Sequence, residues 1–169
     1  MARAWPVPGL RPRARFRDAA GRVIATRWRE TMSYRDGTLA GKDIEYLHAM
    51  RVSSRRLRAA MDAFEAAFPR QEFRAYLRQV KEITDTLGDA RDLDVAMERL
   101  AALLPEMADD ERPGLEGMIA RYRALRALED PHIAALFERL DAEEFGPRLE
   151  SFLAEHTGVV TAELNPQPA

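Results

Sequence analysis

Cysteine is missing from all 169 residues, which excludes a disulfide framework, a thiolate zinc site and a thiol nucleophile. Packing alone must hold the fold. Long apolar runs are missing too. No stretch approaches the roughly 18 consecutive apolar residues of a membrane span, and the first residues lack the apolar segment of a secretory signal, so a cytoplasmic protein with no membrane partner is expected. No alternating apolar–polar run of useful length occurs, so strands are not expected. There is no G-x-x-x-x-G-K-[ST] loop, G-x-G-x-x-G turn or H-E-x-x-H helix, and no nucleophile is visible. The chain is therefore expected to work without catalysis and without a cofactor. Lysine is nearly absent: of 26 basic residues only Lys42 and Lys81 are Lys, the rest being Arg.

What the chain does have is charge, unevenly spread. Residues 1–91 carry 19 Lys+Arg against 11 Asp+Glu, whereas residues 92–169 carry 7 against 17, so a net charge of −2 hides a basic first half and an acidic second half. Such polarity points to one surface that attracts an anion and another that repels it. With 46% hydrophobic and 32% charged residues, the chain can bury a core as one domain and keep a solvated surface.

Residues 1–12 hold Pro6, Pro8, Gly9 and Pro12 and read as an irregular basic arm, residues 13–156 as one helical domain, and residues 157–169 as a frayed tail. Apolar residues recur at helical spacing from Arg13 to Tyr34, after which Gly37 and Gly41 are expected to end the first helix. Asp43 is a suitable N-cap for a second helix reaching Phe68, on the stripe Leu47, Met50, Leu57, Met61 and Phe64. A third runs from Arg70 to Leu87, with Gly88 interrupting it and Asp89 capping a continuation to Leu104. The pattern resumes over 115–128 and 132–153, with Pro131 and Gly146-Pro147 as expected breaks. The fold class is therefore all-α: an antiparallel bundle of about four long, partly kinked helices.

The second helix carries the chemistry. At about 100° per residue, His48, Arg51, Arg55 and Arg58 fall within roughly one quarter of its circumference and form a basic stripe, with Arg56 beside it. Stacking like charges at these spacings costs a few tenths of a kcal/mol per pair, so an anion is needed to offset it. One reading supplies Asp62, Glu65 and acidic residues of neighbouring helices as a salt-bridge network. The other supplies phosphates, for which guanidinium forks offer paired donors and His48 one more. Arg74, Arg78 and Lys81 share a face of the third helix at i, i+4 and i+7. Two such stripes along one channel suit a linear polyanion better than a compact nucleotide. Arg74 and Arg78 also have Glu72, Glu82 and Asp85 as candidate surface partners.

The segment Tyr46–Phe64, Y-L-H-A-M-R-V-S-S-R-R-L-R-A-A-M-D-A-F, resembles the hallmark of the CHAD family, the conserved histidine α-helical domain. The run Leu87-Gly-Asp-Ala-Arg-Asp-Leu-Asp-Val95 is similar to that family's second motif, and the resemblance covers most of residues 14–153. It implies an all-helical domain that binds inorganic polyphosphate in a basic channel, in some members at polyphosphate granules. By motif, it implies ligand contacts from His48, Arg51, Arg55, Arg56, Arg58 and Lys81, with Arg91 as a further one and Asp92 orienting a neighbouring Arg. Family members usually contain two four-helix bundles. This chain resembles a short form with one, which implies that two chains pair as a homodimer to rebuild the channel.

Competing classes use the same arginines. A nucleic-acid binder would need them for phosphate contacts, but a pI near 6.0 and the acidic second half make nucleic acid an unlikely partner. A helical adaptor would need an acidic protein partner. Metal sites are not expected: one imidazole among arginines repels a cation, and Asp92 and Asp94 point to different sides of a helix. Asp109-Asp110-Glu111 reads as a helix start, and His132 and His156 as structural or solvated residues.

Overall fold

The computed structural model describes residues 3–159, and every regular element among them is helical. In chain order these are α1 (Phe16–Met32), α2 (Arg35–Ala40), α3 (Ile44–Phe64), α4 (Arg70–Leu103), α5 (Arg112–Ala142) and α6 (Phe145–Thr157). Short 3-10 turns at Glu65–Ala67 and Leu104–Glu106 follow α3 and α4. Side-chain contacts fix the antiparallel sense of three neighbouring pairs. Arg51 and Arg58 of α3 reach Asp92 and Asp85 of α4; Asp94 and Glu82 of α4 meet Arg126 and Arg139 of α5. On the other side, Gly21 of α1 lies against Thr157 of α6, and Arg29 pairs with Glu150. The expected all-helical bundle is the fold.

One apolar seam runs through it. Ile24 of α1, Met50, Leu57 and Met61 of α3, Phe73, Ile83 and Leu87 of α4, Phe137 of α5, and Phe145, Leu149 and Leu153 of α6 are all fully buried. An aromatic cluster of Phe68, Phe73, Tyr76 and Phe152 closes one end and takes in the ring of His156, whose Nδ1 lies 2.9 Å from the Phe152 carbonyl. His156 is thus a packing residue.

Several expected breaks fall elsewhere. Gly88 does not interrupt α4, which spans 34 residues, about 50 Å at 1.5 Å per residue. The roughly 1 kcal/mol penalty of an interior glycine is outweighed by burial of Leu87 and Ala90 on either side. Pro131 lies inside α5. There Ile133, Leu136 and Phe137 bury the next turn, and the carbonyl that loses its partner belongs to Ala127, an exposed residue, so the loss costs less than it would in the core. The break after α5 comes at Glu144, in the left-handed region at φ 51, and Pro147 sits in the first turn of α6, where its missing N–H costs nothing.

At the other end of the chain, α1 stops at Met32 and Gly37 lies within α2 instead of ending a helix. A side chain at 37 would overlap the Tyr46 ring, so this glycine lets α3 pack onto α2. Asp43 caps α3 as expected, accepting from Glu45 N at 2.9 Å, and α3 ends at Phe64, short of Phe68. The basic arm is irregular but tethered. Arg27 donates to the Trp5 carbonyl and Arg22 to that of Pro8. Of the expected tail, Thr157 closes α6 and Val159 is buried, while residues 160–169 lie outside the described residues.

Candidate functional site

The site grows from the pitch of α3. Its core face is Leu47, Met50, Leu57 and Met61; rotating about 100° per residue puts His48, Arg51, Arg55 and Arg58 along the edge that faces α4 and solvent. Opposite them α4 presents Lys81, Asp85, Gly88 and Asp92, which share one face by the same rotation. The result is a shallow groove between two antiparallel helices with cations from both.

Its electrostatics divide into held and unheld groups. Arg51 reaches Asp92 at 3.6 Å and Arg58 reaches Asp85 at 3.9 Å and Asp62 at 4.0 Å, all longer than a good hydrogen bond. The Asp92 and Asp85 side chains are 75% and 58% exposed, so water screens these pairs and each contributes little to stability. Arg51 Nε is sealed from solvent with no acceptor. It lies against Gly88, where a Cβ would stand 3.7 Å away. His48, Arg55, Arg78 and Lys81 make no ion pair or side-chain hydrogen bond among the described residues. Arg55, Arg78 and Lys81 are exposed, and His48 is half-buried.

Two residues named from the sequence stand elsewhere. Arg56 points away from the groove to α1, donating to Glu30 Oε1 at 3.1 Å. Glu30 is fully buried and is also bound by Arg27. This buried carboxylate between two guanidiniums is structural. Burial, and after it the Glu30 charge, raises the nearby Tyr34 phenol above its usual pKa, against the pull of Arg56. Arg91 turns along its own helix to Glu98, at 3.1 and 3.4 Å. Arg74 pairs with Glu65 at 2.7 Å, a partner different from those its sequence position suggested. With Arg70, Gln71 and Arg78 it lines a shallow basic depression of about 410 Å³ beyond the groove's end.

Sequence reasoning named Asp62 and set Asp92 beside an arginine, and both pairs form. It offered Asp85 to Arg74 and Arg78, whereas Asp85 meets Arg58, and it missed Glu30, which no local spacing announces. Asp94, from the second motif, is buried and accepts from Arg126 Nε at 3.2 Å. Burial raises its pKa above the ordinary 3.8; the positive charges of Arg126 and Arg91 oppose that rise and Glu98 adds to it.

The two motifs are therefore parts of one construction. The first supplies the cations; the second supplies Gly88, against which Arg51 lies, Asp92, which faces Arg51 at 3.6 Å, and Asp94, which ties α4 to α5. The profile of the CHAD domain family matches residues 22–168, nearly the whole chain. The chain belongs to the CHAD family. At family level, CHAD domains are known for binding polyphosphate. Neither the curated proteins nor the solved structures gave a match. In this CHAD domain the matched span begins inside α1 and takes in every helix after it. No helix among the described residues is long and apolar enough to cross a membrane.

Proposed function

We propose that this CHAD domain binds inorganic polyphosphate along the α3–α4 groove, as a binding module with no catalytic step of its own. One observation carries the reading: His48, Arg55 and Lys81 line the groove with no ion pair among the described residues, and the two arginines beside them meet exposed aspartates at 3.6 to 4.0 Å. Guanidiniums of this kind give paired donors to phosphate oxygens along a chain. A linear ligand fits better than a compact one, because Arg78 carries the cationic face of α4 past the groove's end to the basic depression at the start of that helix. Arg51 and Arg58 exchange their aspartates for phosphates on binding. Arg56 and Arg91 lie outside the contact set, each being committed to a carboxylate.

The groove's cations all come from α3 and α4, so it has one wall. Pairing of two chains with their grooves facing would supply the second, and recruitment of the protein to polyphosphate granules in the cytoplasm would follow from the same binding. Light scattering with ligand present tests the pairing: a monomer overturns it and leaves the groove reading intact.

Calorimetric titration with long-chain polyphosphate, beside single-stranded RNA of matched charge, tests the function. Wild type is expected to bind polyphosphate, with Arg55→Ala/Lys81→Ala losing at least about tenfold. Equal affinity for RNA would favour a general nucleic-acid surface instead. Binding to neither would return the arginine stripe to a salt-bridge role.

A further inference from the structure

A second concave site lies on helices that contribute nothing to the groove. It has a volume of about 600 Å³, is formed by α1, α5 and α6, and is lined by Trp28, Met32, Asp141, Glu144, Gly146 and Glu150 among others. That volume lies in the range of ligand pockets.

Its three carboxylates differ. Asp141 is taken by Arg35 and Glu150 by Arg29, while Glu144 makes no side-chain bond among the described residues. The rim thus carries one uncompensated negative charge. A second, independent feature is at the floor. Trp28 is only 6% exposed, yet its indole N–H has no acceptor among the described residues. It is not one of the sealed unpaired atoms, so it opens to the cavity. Gly146 borders that opening: a Cβ there would stand in ordinary contact with Nε1, at 3.4 Å. Buried indoles usually find a partner.

We propose that this pocket receives a Lys or Arg side chain of a partner polypeptide. The cation pairs with Glu144, the methylene stem lies along Trp28 and Met32, and a peptide carbonyl next to the basic residue accepts from Trp28 Nε1. A free polyamine offers the cation without the acceptor, and an apolar side chain offers neither.

The test follows the Trp28 indole N–H by NMR in the full chain, its peak distinguished from the other tryptophan by the Trp5→Phe variant. The probes are N-acetyl-arginine amide and N-acetyl-lysine amide, against N-acetyl-leucine amide and spermidine. The expected result is a saturable shift with the basic amides alone, weakened at least about fivefold in Glu144→Gln and unchanged in Arg55→Ala, which separates it from the groove. A thermal melt of Glu144→Gln matching wild type confirms that the fold is intact. No saturable shift, an equal shift with the leucine amide, or unchanged affinity in Glu144→Gln overturns the proposal. Equal binding of spermidine overturns the polypeptide source.

Discussion

Arg56 donates to the fully buried carboxylate of Glu30 across 3.1 Å, whereas Arg55, its neighbour in sequence, is exposed in the groove and has no ion pair among the described residues. Adjacent arginines of one motif thus have separate roles. Arg56→Ala should cost about 1–3 kcal/mol of stability, because it leaves a buried carboxylate short of a partner. Arg55→Ala should stay within about 0.5 kcal/mol. Urea unfolding of both variants checks this, and the order should reverse for polyphosphate affinity.

Asp85 and Asp92 compete with any anion for Arg58 and Arg51. Removing them together as Asp85→Asn/Asp92→Asn should leave stability nearly unchanged, since both pairs are long and exposed, and should tighten polyphosphate binding. Weaker binding in calorimetry would mean that Asp92 positions Arg51 more than it competes for it.

Burial raises the pKa of Asp94, against Arg126 and Arg91 and with Glu98. A carboxyl that holds its proton more tightly in the fold contributes stability below its unfolded pKa, and that contribution is lost as pH rises through the raised folded value. Wild type should therefore lose stability relative to Asp94→Asn as pH climbs from about 3.8 toward neutrality. Parallel urea-unfolding curves for the two proteins across that window would contradict the burial argument.

Gly21 meets Thr157 where α1 crosses α6. A Cβ at 21 would overlap Thr157 Oγ1, and that hydroxyl is fixed by its 2.7 Å bond to the Leu153 carbonyl. Gly21→Ala should cost about 1–3 kcal/mol despite the better helix propensity of alanine. Most of that loss should return in Gly21→Ala/Thr157→Ala, measured as a double-mutant cycle.

Much was legible before any tertiary contact was known. The 3.6-residue spacing of Leu47, Met50, Leu57 and Met61 marks the core face of α3, and the same pitch sets His48, Arg51, Arg55 and Arg58 on its neighbouring edge. Asp43 capped the helix as its type and position predicted. Local chemistry governs these features: rotation per residue and an N-cap side chain act within a few positions of chain.

Helix ends and charge partners were decided by packing. Gly88 and Pro131 break isolated helices, yet here each lies in a turn whose apolar face is buried, and that burial outweighs a local cost of about 1–3 kcal/mol. The sequence by itself determined an all-helical chain with a cationic edge on α3. Only the tertiary structure decided that Arg56 serves Glu30, that Arg91 serves Glu98 and that Arg51 rests on Gly88 and Asp92. A guanidinium's partner is whichever carboxylate the fold brings within reach, and Glu30 and Asp92 stand 26 and 41 residues away along the chain from the arginines they hold.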